Sequence, residues 1–259
     1  MPSLPPLSNL ERQEDILQFI ENSRRISIAD ITQRFNISEA TARRDLEFLA
    51  TQEKIRRVHG GAIALHPTQS ELSIYQRMSD QAANKQKIGM AAAELVQDNE
   101  TVFLGSGTTV LEVARTLVKH RNLAIITNSL LVVNALAEQS TMTIISLGGI
   151  LRQSEQSMIG HITEDALSEL RADKVIMGIH GIDLENGLTN HYLPETMTDR
   201  KILQLSKKVI IVADHTKCER TSVSRVAPLS VISTLVTDFD VSPEFVTALT
   251  GQGIEVIQA

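Results

Sequence analysis

The sequence predicts a small helical unit that ends in a hairpin, followed by a larger α/β unit built on a mostly parallel sheet. Within residues 26–61, apolar residues first recur at helical spacing and then alternate with basic residues before a Gly-Gly pair. From residue 101 onward, short apolar runs rich in Val and Ile alternate with helical stretches. Between the two patterns, residues 66–74 are polar and contain a proline, which indicates a linker.

Composition sets the broad class of the protein. The chain has 259 residues, of which 42% are hydrophobic, enough for two ordinary cores. Its net charge is −6, but the first 65 residues hold nine basic and nine acidic residues, so all the excess acid lies in the larger unit. A small cluster of arginines is therefore expected in the first unit, rather than a broad basic surface.

The cellular compartment is predicted from cysteine usage and hydropathy. A single cysteine, Cys218, excludes an intramolecular disulfide and a multi-cysteine metal site, and it suits a reducing compartment. No apolar run approaches the roughly 18 to 20 residues that span a bilayer. We expect a cytoplasmic protein without a membrane partner, and we expect residues 1–10 to be a flexible leader.

Residues 11–65 are predicted to form the first domain, beginning with an amphipathic helix over residues 11–23. Ile28, Ile31 and Phe35 recur at i, i+3 and i+7, which places them on one face of a second helix. Ser27 and Asp30 have the spacing of a capping box at its start.

A break at residues 36–38 precedes a third helix, which Ser38 is placed to cap. Ala42, Leu46 and Leu49 then face inward, and the outer face carries polar and basic residues. This is the pattern of a helix-turn-helix whose last helix enters the DNA major groove with its N-terminal residues nearest the bases.

The basic residues at 54–62 alternate with apolar ones and end in a Gly-Gly turn, which predicts a hairpin wing along the DNA phosphates. The same basic residues have an alternative interpretation. Short helices with surface arginines also occur in proteins that never bind DNA, where the charges simply face solvent.

The motifs SEATARRDLEFL, residues 38–49, and IRRVHGGA, residues 55–62, together resemble the DNA-binding signature of the DeoR family of bacterial transcriptional regulators. One departure is Ala42, where the family usually has a bulkier aliphatic residue. The resemblance implies a winged helix-turn-helix that binds a double-stranded DNA operator. The residues that it assigns to DNA binding are Ser38, Glu39, Thr41, Arg43, Arg44, Arg56, Arg57, His59 and Gly60.

Residues 75–259 are predicted to form the second domain. A helix over residues 82–97 is expected to cover one face of a sheet. The sheet itself is predicted from continuous apolar runs, which are typical of parallel strands buried on both faces. These runs are TVFLG, LAIIT, MTIISLGG, KVIMGI, KVIIVAD, STLVTD and IEVI.

The loop after the first of these strands has the composition of a phosphate cradle. Gly105-Ser106-Gly107-Thr108-Thr109 leads directly into a helix, whose free N–H groups and positive N-terminal dipole favour an anion. The loop lacks the lysine of a Walker motif and the complete dinucleotide fingerprint, so we predict no cofactor. The alternative is a tight turn in which Thr108 and Thr109 cap the helix.

Other strand ends also carry polar residues, and ligands of parallel sheets bind beyond the carboxyl ends of the strands. Lys217 is suited to pair with a phosphate, and Asn128, Asp183 and Thr189 are suited to bond sugar hydroxyls.

This second half resembles the DeoR-family sensor domain, which is similar in fold to ribose-5-phosphate isomerase and binds phosphorylated sugars. The chain departs from the family at Gly105, where an Asp is common, and at Asp199, where a Lys often precedes the matching arginine. The ligand-binding residues expected from the strand-end loops and the resemblance are Lys85, Ser106, Gly107, Thr108, Thr109, Asn128, Gly149, Asp183, Thr189, Glu195, Arg200 and Lys217.

The sequence therefore predicts a transcriptional regulator, a repressor of carbohydrate metabolism genes, that acts as a homodimer or homotetramer and responds to a phosphorylated sugar. The alternative is a sugar-phosphate isomerase or deaminase with an appended DNA-binding head, for which Asp183, Glu195 and Lys217 are the candidate catalytic groups. We favour the regulator and assign no catalytic residue. We also predict no metal, because the histidines lack metal-binding spacing.

Overall fold

The computed structural model describes residues 9–23, 25–52, 54–58, 60–64 and 73–259. The chain divides into two compact units, Met1–Ser73 and Ile74–Ala259. The predicted leader lies largely outside the described residues. The first helix begins at Asn9, two residues before the start that the sequence predicts.

The described residues of the first unit form three helices and a small antiparallel sheet. Its strands lie in the order β1-β3-β2, and the hairpin pairs Ile55 with Ala64 and Val58 with Gly61. In chain order its elements are α1 (Asn9–Ser23), β1 (Arg25–Ser27), α2 (Ile28–Phe35), α3 (Glu39–Thr51), β2 (Ile55–Val58) and β3 (Gly61–Ala64).

The capping box predicted for α2 is present. The Asp30 backbone N–H donates to the Ser27 hydroxyl at 3.2 Å, and the Ser27 N–H donates to the Asp30 carboxylate at 2.9 Å. These bonds satisfy orphan N–H groups of the helix start. The Ser27 hydroxyl, which donates to the Asp30 carboxylate at 2.7 Å, lowers the pKa of Asp30, and the Ser27 N–H adds to this effect. Asn36, in the left-handed region at φ 50°, ends the helix.

The core of the first unit joins α1, α2, α3 and the hairpin through Ile16, Ile31, Leu46 and Ile55, all essentially inaccessible to solvent. Ala42 and Leu49 are also buried, as the spacing predicts.

The second unit begins with a short helix that includes the last residue of the predicted linker, Ile74. Its elements are α4 (Ile74–Arg77), α5 (Ala82–Ala93), β4 (Thr101–Leu104), α6 (Thr108–Leu117), β5 (Ala124–Thr127), α7 (Leu130–Leu136), β6 (Thr143–Ser146), β7 (Ile150–Arg152), β8 (Ser157–Ile159), α8 (His161–Ser168), β9 (Lys174–Met177), β10 (Gly181–Asp183), β11 (Gly187–Asn190), α9 (Leu193–Ile202), β12 (Val209–Val212), β13 (Ser224–Ala227), β14 (Thr234–Thr237), α10 (Pro243–Gly251) and β15 (Glu255–Gln258).

The predicted parallel sheet is confirmed. All seven apolar runs become strands of one sheet, in the order β15-β14-β12-β9-β4-β5-β6, and every pairing within it is parallel. The chain builds outward from β4 in one direction and from β9 in the other. The boundary between these two strands is therefore a topological switch point, where open α/β sheets bind ligands.

Two smaller antiparallel sheets flank the main one, namely β10-β11-β13 and the β7-β8 ribbon. Hydrophobic clusters cover the central sheet on both faces, one containing Phe103 and Ile211 and the other containing Leu104 and Ile176. Burial on both faces explains why these strands are continuous apolar runs. Among the helices that the structure describes, none combines the length and the apolar character needed to span a bilayer.

Candidate functional site

The N-terminal part of α3 presents a polar outer surface. Ser38 caps the helix, accepting from the Thr41 N–H at 3.2 Å, and the two hydroxyl oxygens lie 2.9 Å apart. The side chains of Glu39 and Arg43 are 69% and 58% exposed and form a loose 3.3 Å ion pair, and Arg44 is also exposed. The groups predicted to face DNA are therefore accessible.

The side of α3 opposite these residues is held by a buried carboxylate. Asp45 accepts from Arg12 Nε at 2.8 Å and from Gln13 Nε2 at 2.9 Å. This bridge joins α1 to α3 from within the Arg-Arg-Asp-Leu motif. Local spacing does not predict this bridge, because the partners of Asp45 lie over thirty positions away in the chain.

The hairpin places exposed Arg56 and Arg57 beside α3. Arg57 Nη1 donates to the backbone carbonyl of Arg43 at 3.4 Å. Gly60 occupies the turn at φ 79° and accepts from the Ile28 N–H at 2.9 Å, which ties the hairpin to α2. His59 lies outside the described residues.

The second unit contains a cavity of about 330 Å³ over the switch point between β4 and β9. Its walls come from the loops that follow β4, β5, β9 and β12, together with α4, α5 and α9. Eight of the predicted ligand-binding residues line it, namely Lys85, Ser106, Gly107, Thr108, Thr109, Asn128, Glu195 and Lys217.

One pole of the cavity is the start of α6. Gly107 is its N-cap at φ 114°, and none of the described side chains caps the first turn. The structure therefore does not contain the helix caps that the alternative predicts for Thr108 and Thr109. The first-turn N–H groups and the helix dipole lie at the cavity wall, an arrangement that favours an anion.

Two lysines add positive charge to the same cavity. Lys85 is 6% exposed and its ammonium donates to the Arg77 carbonyl at 2.8 Å. Burial lowers the pKa of Lys85 and the pKa of Lys217, and the Asp214 carboxylate partly opposes both shifts. Both ammonium groups are thus partly desolvated, which strengthens an ion pair with a bound anion.

The opposite pole is formed by α9 and carries carboxylates. Glu195 pairs with Arg152, and Asp199 accepts from the side-chain amide of Asn190. The side-chain amide oxygen of Asn190, Oδ1, lies 3.0 Å from Nδ1 of His180. Burial raises the pKa of Glu195 and raises the pKa of Asp199 well above its usual range. This pole can exchange hydrogen bonds with ligand hydroxyl groups.

A further wall of the cavity was missed by the sequence analysis. Arg77 of α4 forms an ion pair with Glu155 in the turn between β7 and β8. The Ile74 N–H donates to the Ser154 carbonyl at 2.7 Å, which anchors α4 to the same turn. Arg77 and Glu155 are 78 positions apart, so spacing alone gives no signal for their pairing.

Four predicted ligand-binding residues lie away from the cavity lining. An added Cβ at Gly149 would lie 2.1 Å from Thr163 Oγ1, so this glycine permits close packing against α8. Asp183 accepts from the Asn186 N–H at 2.7 Å, and buried Thr189 accepts from the Ser222 N–H at 2.9 Å.

The fourth, Arg200, donates from Nη2 to the Arg225 carbonyl at 2.6 Å and from Nε to the Val226 carbonyl at 3.3 Å. These bonds attach α9 to β13. In the structure, Asp183, Thr189 and Arg200 are thus engaged in holding loops and helices together.

Both departures from the DeoR-family pattern line the cavity. A Cβ at Gly105 would lie 3.1 Å from that of Met177, so a larger residue there would press on the end of β9. Asp199 adds a buried carboxylate where a lysine is common in the family, and this makes the α9 pole more acidic.

His215, Asp238 and Asp240 bring potential metal-ligand atoms within 4.8 Å of one another. Asp238 already accepts from the His215 N–H at 3.0 Å and from the Asp240 N–H at 2.9 Å. These bonds account for the cluster as a loop closure, and we assign no metal to it.

An exposed recognition helix with a basic hairpin, joined in one chain to a domain with a polar cavity, is the organisation of a ligand-responsive transcriptional regulator. Two family models match the chain: the DeoR-like helix-turn-helix domain over residues 12–68 and the DeoR C terminal sensor domain over residues 80–239. The chain belongs to the DeoR family of transcriptional regulators.

Curated relatives are similar over nearly their full length. The chain is 33% identical over 250 residues to the glycerol-3-phosphate regulon repressor of Escherichia coli (strain K12), covering 96% of this chain and 99% of the relative. It is 35% identical over 250 residues to the HTH-type transcriptional repressor GlcR of Bacillus subtilis (strain 168), covering 95% of each chain.

Among solved structures, ribose 5-phosphate isomerase A from Methanocaldococcus jannaschii overlaps 54% of this chain and 55% of its own, with a TM-score of 0.40 and 15% identity. This similarity concerns the fold alone.

Proposed function

We propose that this protein represses genes of carbohydrate metabolism, and that a phosphorylated sugar bound in the cavity of the second unit controls its affinity for operator DNA. The observation that carries the proposal is the pairing of two poles in one cavity. Lys85, Lys217 and the start of α6 are suited to a phosphate, and Asn128 and the α9 carboxylates are suited to hydroxyl groups. The volume, about 330 Å³, is at the lower end of the range for small-molecule sites.

Regulation follows from thermodynamic linkage. A sugar phosphate that binds the DNA-free protein more tightly than the DNA-bound protein lowers the affinity of the protein for its operator. Operator DNA lowers the affinity of the protein for the sugar phosphate by the same factor. A coupling of about 1–3 kcal/mol would change operator affinity roughly 5- to 150-fold.

We further propose that the protein acts in the cytoplasm, where its DNA target lies, as a homodimer or homotetramer. One winged head makes few base contacts, and helix-turn-helix proteins commonly read paired half-sites as dimers.

An enzymatic role is the less favoured alternative. Of its three candidate catalytic groups, Glu195 and Lys217 line the cavity, while Asp183 instead accepts hydrogen bonds from its own turn. Binding without turnover is what we propose.

The test is thermal unfolding of the purified protein against phosphorylated sugars, each paired with its unphosphorylated parent. A ligand at a hundred times its dissociation constant stabilises by about 2.7 kcal/mol. We expect stabilisation only by a phosphorylated compound, no conversion of that compound, and release of bound DNA when it is added.

Lys217→Ala should abolish the stabilisation, and the exposed Lys207→Ala should preserve it. Equal stabilisation by the unphosphorylated parent, or a normal response in Lys217→Ala, would contradict a phosphate site at the α6 pole. Turnover of the ligand would favour the enzyme.

A further inference from the structure

Helix α9 turns its polar side toward the cavity. Its buried residues include Glu195, Thr198 and Asp199, whereas Leu193 is 60% exposed and Met197 is 46% exposed. A surface helix normally packs its apolar stripe against the core, so this reversal gives up apolar burial. What the reversal provides is a set of carboxylates along the cavity wall.

Three carboxylates of the cavity lining lie near α9, and two of them have an arginine partner. Glu195 pairs with Arg152, and Glu155 pairs with Arg77. The third is Asp199, which forms no ion pair in the part of the chain that the structure describes. Within that part of the chain, Asp199 is a carboxylate without a counter-charge of its own.

Asp199 is nevertheless deeply buried. It is 7% exposed, and among the described residues its carboxylate accepts a hydrogen bond only from the neutral side-chain amide of Asn190. Burial raises the pKa of Asp199, Glu195 and Glu155 raise it further, and Arg152 partly opposes the rise. A carboxylate buried in this way is costly to ionise until a cation joins it.

The lysines of the cavity are balanced by other carboxylates. Those that act most strongly on Lys85 and Lys217 are Asp214 and Asp80. The positive charge around the start of α6 is therefore arranged separately from Asp199. A cation for Asp199 is expected from the molecule that the cavity binds.

A second buried acceptor in the cavity lining lacks a donor. Asn128 is 4% exposed, and its Nδ2 donates to the Met158 carbonyl at 3.0 Å. Its Oδ1 is buried and accepts no hydrogen bond from any described residue. Since buried polar groups are nearly always hydrogen-bonded, this oxygen indicates a donor on the ligand. An ammonium group brings three donors and a positive charge, whereas a hydroxyl group brings one donor and no charge.

We propose that the phosphorylated sugar bound in this cavity carries a protonated amine, and that Asp199 forms an ion pair with it. This inference rests on the proposed function, because it names the class of sugar phosphate that occupies the same cavity. The phosphate lies against Lys85, Lys217 and the start of α6, and the amine lies against α9. Each charge of the ligand then meets the opposite charge of the cavity.

The test is isothermal titration calorimetry of the full-length protein near neutral pH. The ligands are glucosamine 6-phosphate and galactosamine 6-phosphate. Each is compared with its N-acetyl form, which keeps an N–H donor but loses the charge, and with the hexose 6-phosphate that has a hydroxyl group in place of the amine. We expect at least one amine to bind roughly 10- to 150-fold more tightly than both of its counterparts, the range for a hydrogen bond to a charged group.

Asp199→Asn should abolish this preference, while binding still requires the phosphate. The matched control is Asp240→Asn, at a carboxylate that is 70% exposed and outside the cavity lining, and it should keep the wild-type preference. Circular dichroism establishes that both variants are folded. If Asp199→Asn does not fold, the comparison of the three ligand forms on the wild type decides alone.

Equal or tighter binding of the hydroxyl or N-acetyl forms, absence of binding by both amines, or an unchanged preference in Asp199→Asn would overturn the proposal. Failure of the proposed function has a different signature, because unphosphorylated glucosamine or galactosamine would then bind as tightly as its phosphate. A hexose 6-phosphate that binds best and releases DNA would instead sustain the proposed function and overturn this inference alone.

Discussion

The guanidinium carbon of Arg152 lies 4.7 Å from the centre of the Tyr192 ring. The same guanidinium pairs with Glu195, and the two paired side chains are only 7% and 6% exposed. One arginine thus contacts both a cavity carboxylate and an exposed aromatic residue. This buried pair gives the first prediction.

Arg152→Met should destabilise the second unit by about 3–5 kcal/mol, because it leaves the buried Glu195 carboxylate without its counter-charge. Urea unfolding at pH 7 measures the loss, and Arg152→Met/Glu195→Gln should recover part of it. The control is Arg115→Met, which breaks an exposed pair with Glu112 and should cost about 0–1 kcal/mol. Equal losses in the two single variants would show that the Arg152 pair is not specially stabilising.

Asp199→Asn should stabilise the protein at pH 8. Burial, reinforced by Glu195, raises the pKa of Asp199 well above the usual range of an aspartate. Between the unfolded and folded pKa values the folded chain holds more protons, so the free energy of unfolding falls as pH rises through this window. The variant removes this loss.

Thermal unfolding from pH 4 to pH 8 checks the prediction. Each kcal/mol recovered should raise the melting temperature by about 2–4 °C, and the gain should shrink toward pH 4. Asp240→Asn, at a carboxylate whose side chain is 70% exposed, is the control. A variant that melts at or below the wild-type temperature at pH 8 would contradict the assigned cause.

Arg43→Ala and Arg44→Ala should each weaken operator binding by about 1–3 kcal/mol if the lost contact is to a base. Loss of a phosphate contact should instead reduce the salt dependence of binding by about one charge. Fluorescence anisotropy with a DNA fragment selected by the purified protein distinguishes these cases. Arg171→Ala, an exposed arginine of the second unit, is the control. Unchanged affinity in both α3 variants would remove α3 as the recognition helix.

Gly61→Ala should disrupt the hairpin far more than Gly60→Ala. A Cβ at Gly61 would lie 1.9 Å from the Ile26 carbonyl oxygen, so β1 and β3 would have to separate. Gly60 meets no such obstacle among the described residues, and alanine there costs only the strain of a left-handed conformation, about 1–2 kcal/mol.

DNA binding and limited proteolysis of the first unit give the readout for these glycine variants. Gly61→Ala should lose DNA binding, and Gly60→Ala should retain most of it. The reverse order would contradict the hairpin packing.

Local interactions made the first unit predictable. The i, i+3, i+7 spacing of Ile28, Ile31 and Phe35 and the capping box at Ser27 act within two helical turns, and the structure contains both. The partly buried bridge between Arg12 and Asp45 was not predictable in this way. Its two residues are 33 positions apart, and nothing in the spacing of either one signals the other.

Some residues of the cavity were likewise predictable from the local sequence, and others were not. Glycines and polar residues at strand ends predicted the Ser106–Thr109 pole, because parallel strands bring their carboxyl ends to one edge. Arg77, Glu155 and Asn190 were missed, since they reach the cavity from a short helix, a ribbon turn and a small antiparallel sheet. Asp183, Thr189 and Arg200 were predicted there, but their bonds are made elsewhere.

The sequence by itself determined the helix-turn-helix, the parallel sheet and the family, because periodicity, capping and short motifs are local. Only the tertiary structure decided which polar groups share a cavity and that α9 turns its apolar side outward. Those outcomes depend on pairing between distant segments, which buries Asp199 and so raises its pKa, and which leaves Leu193 and Met197 exposed.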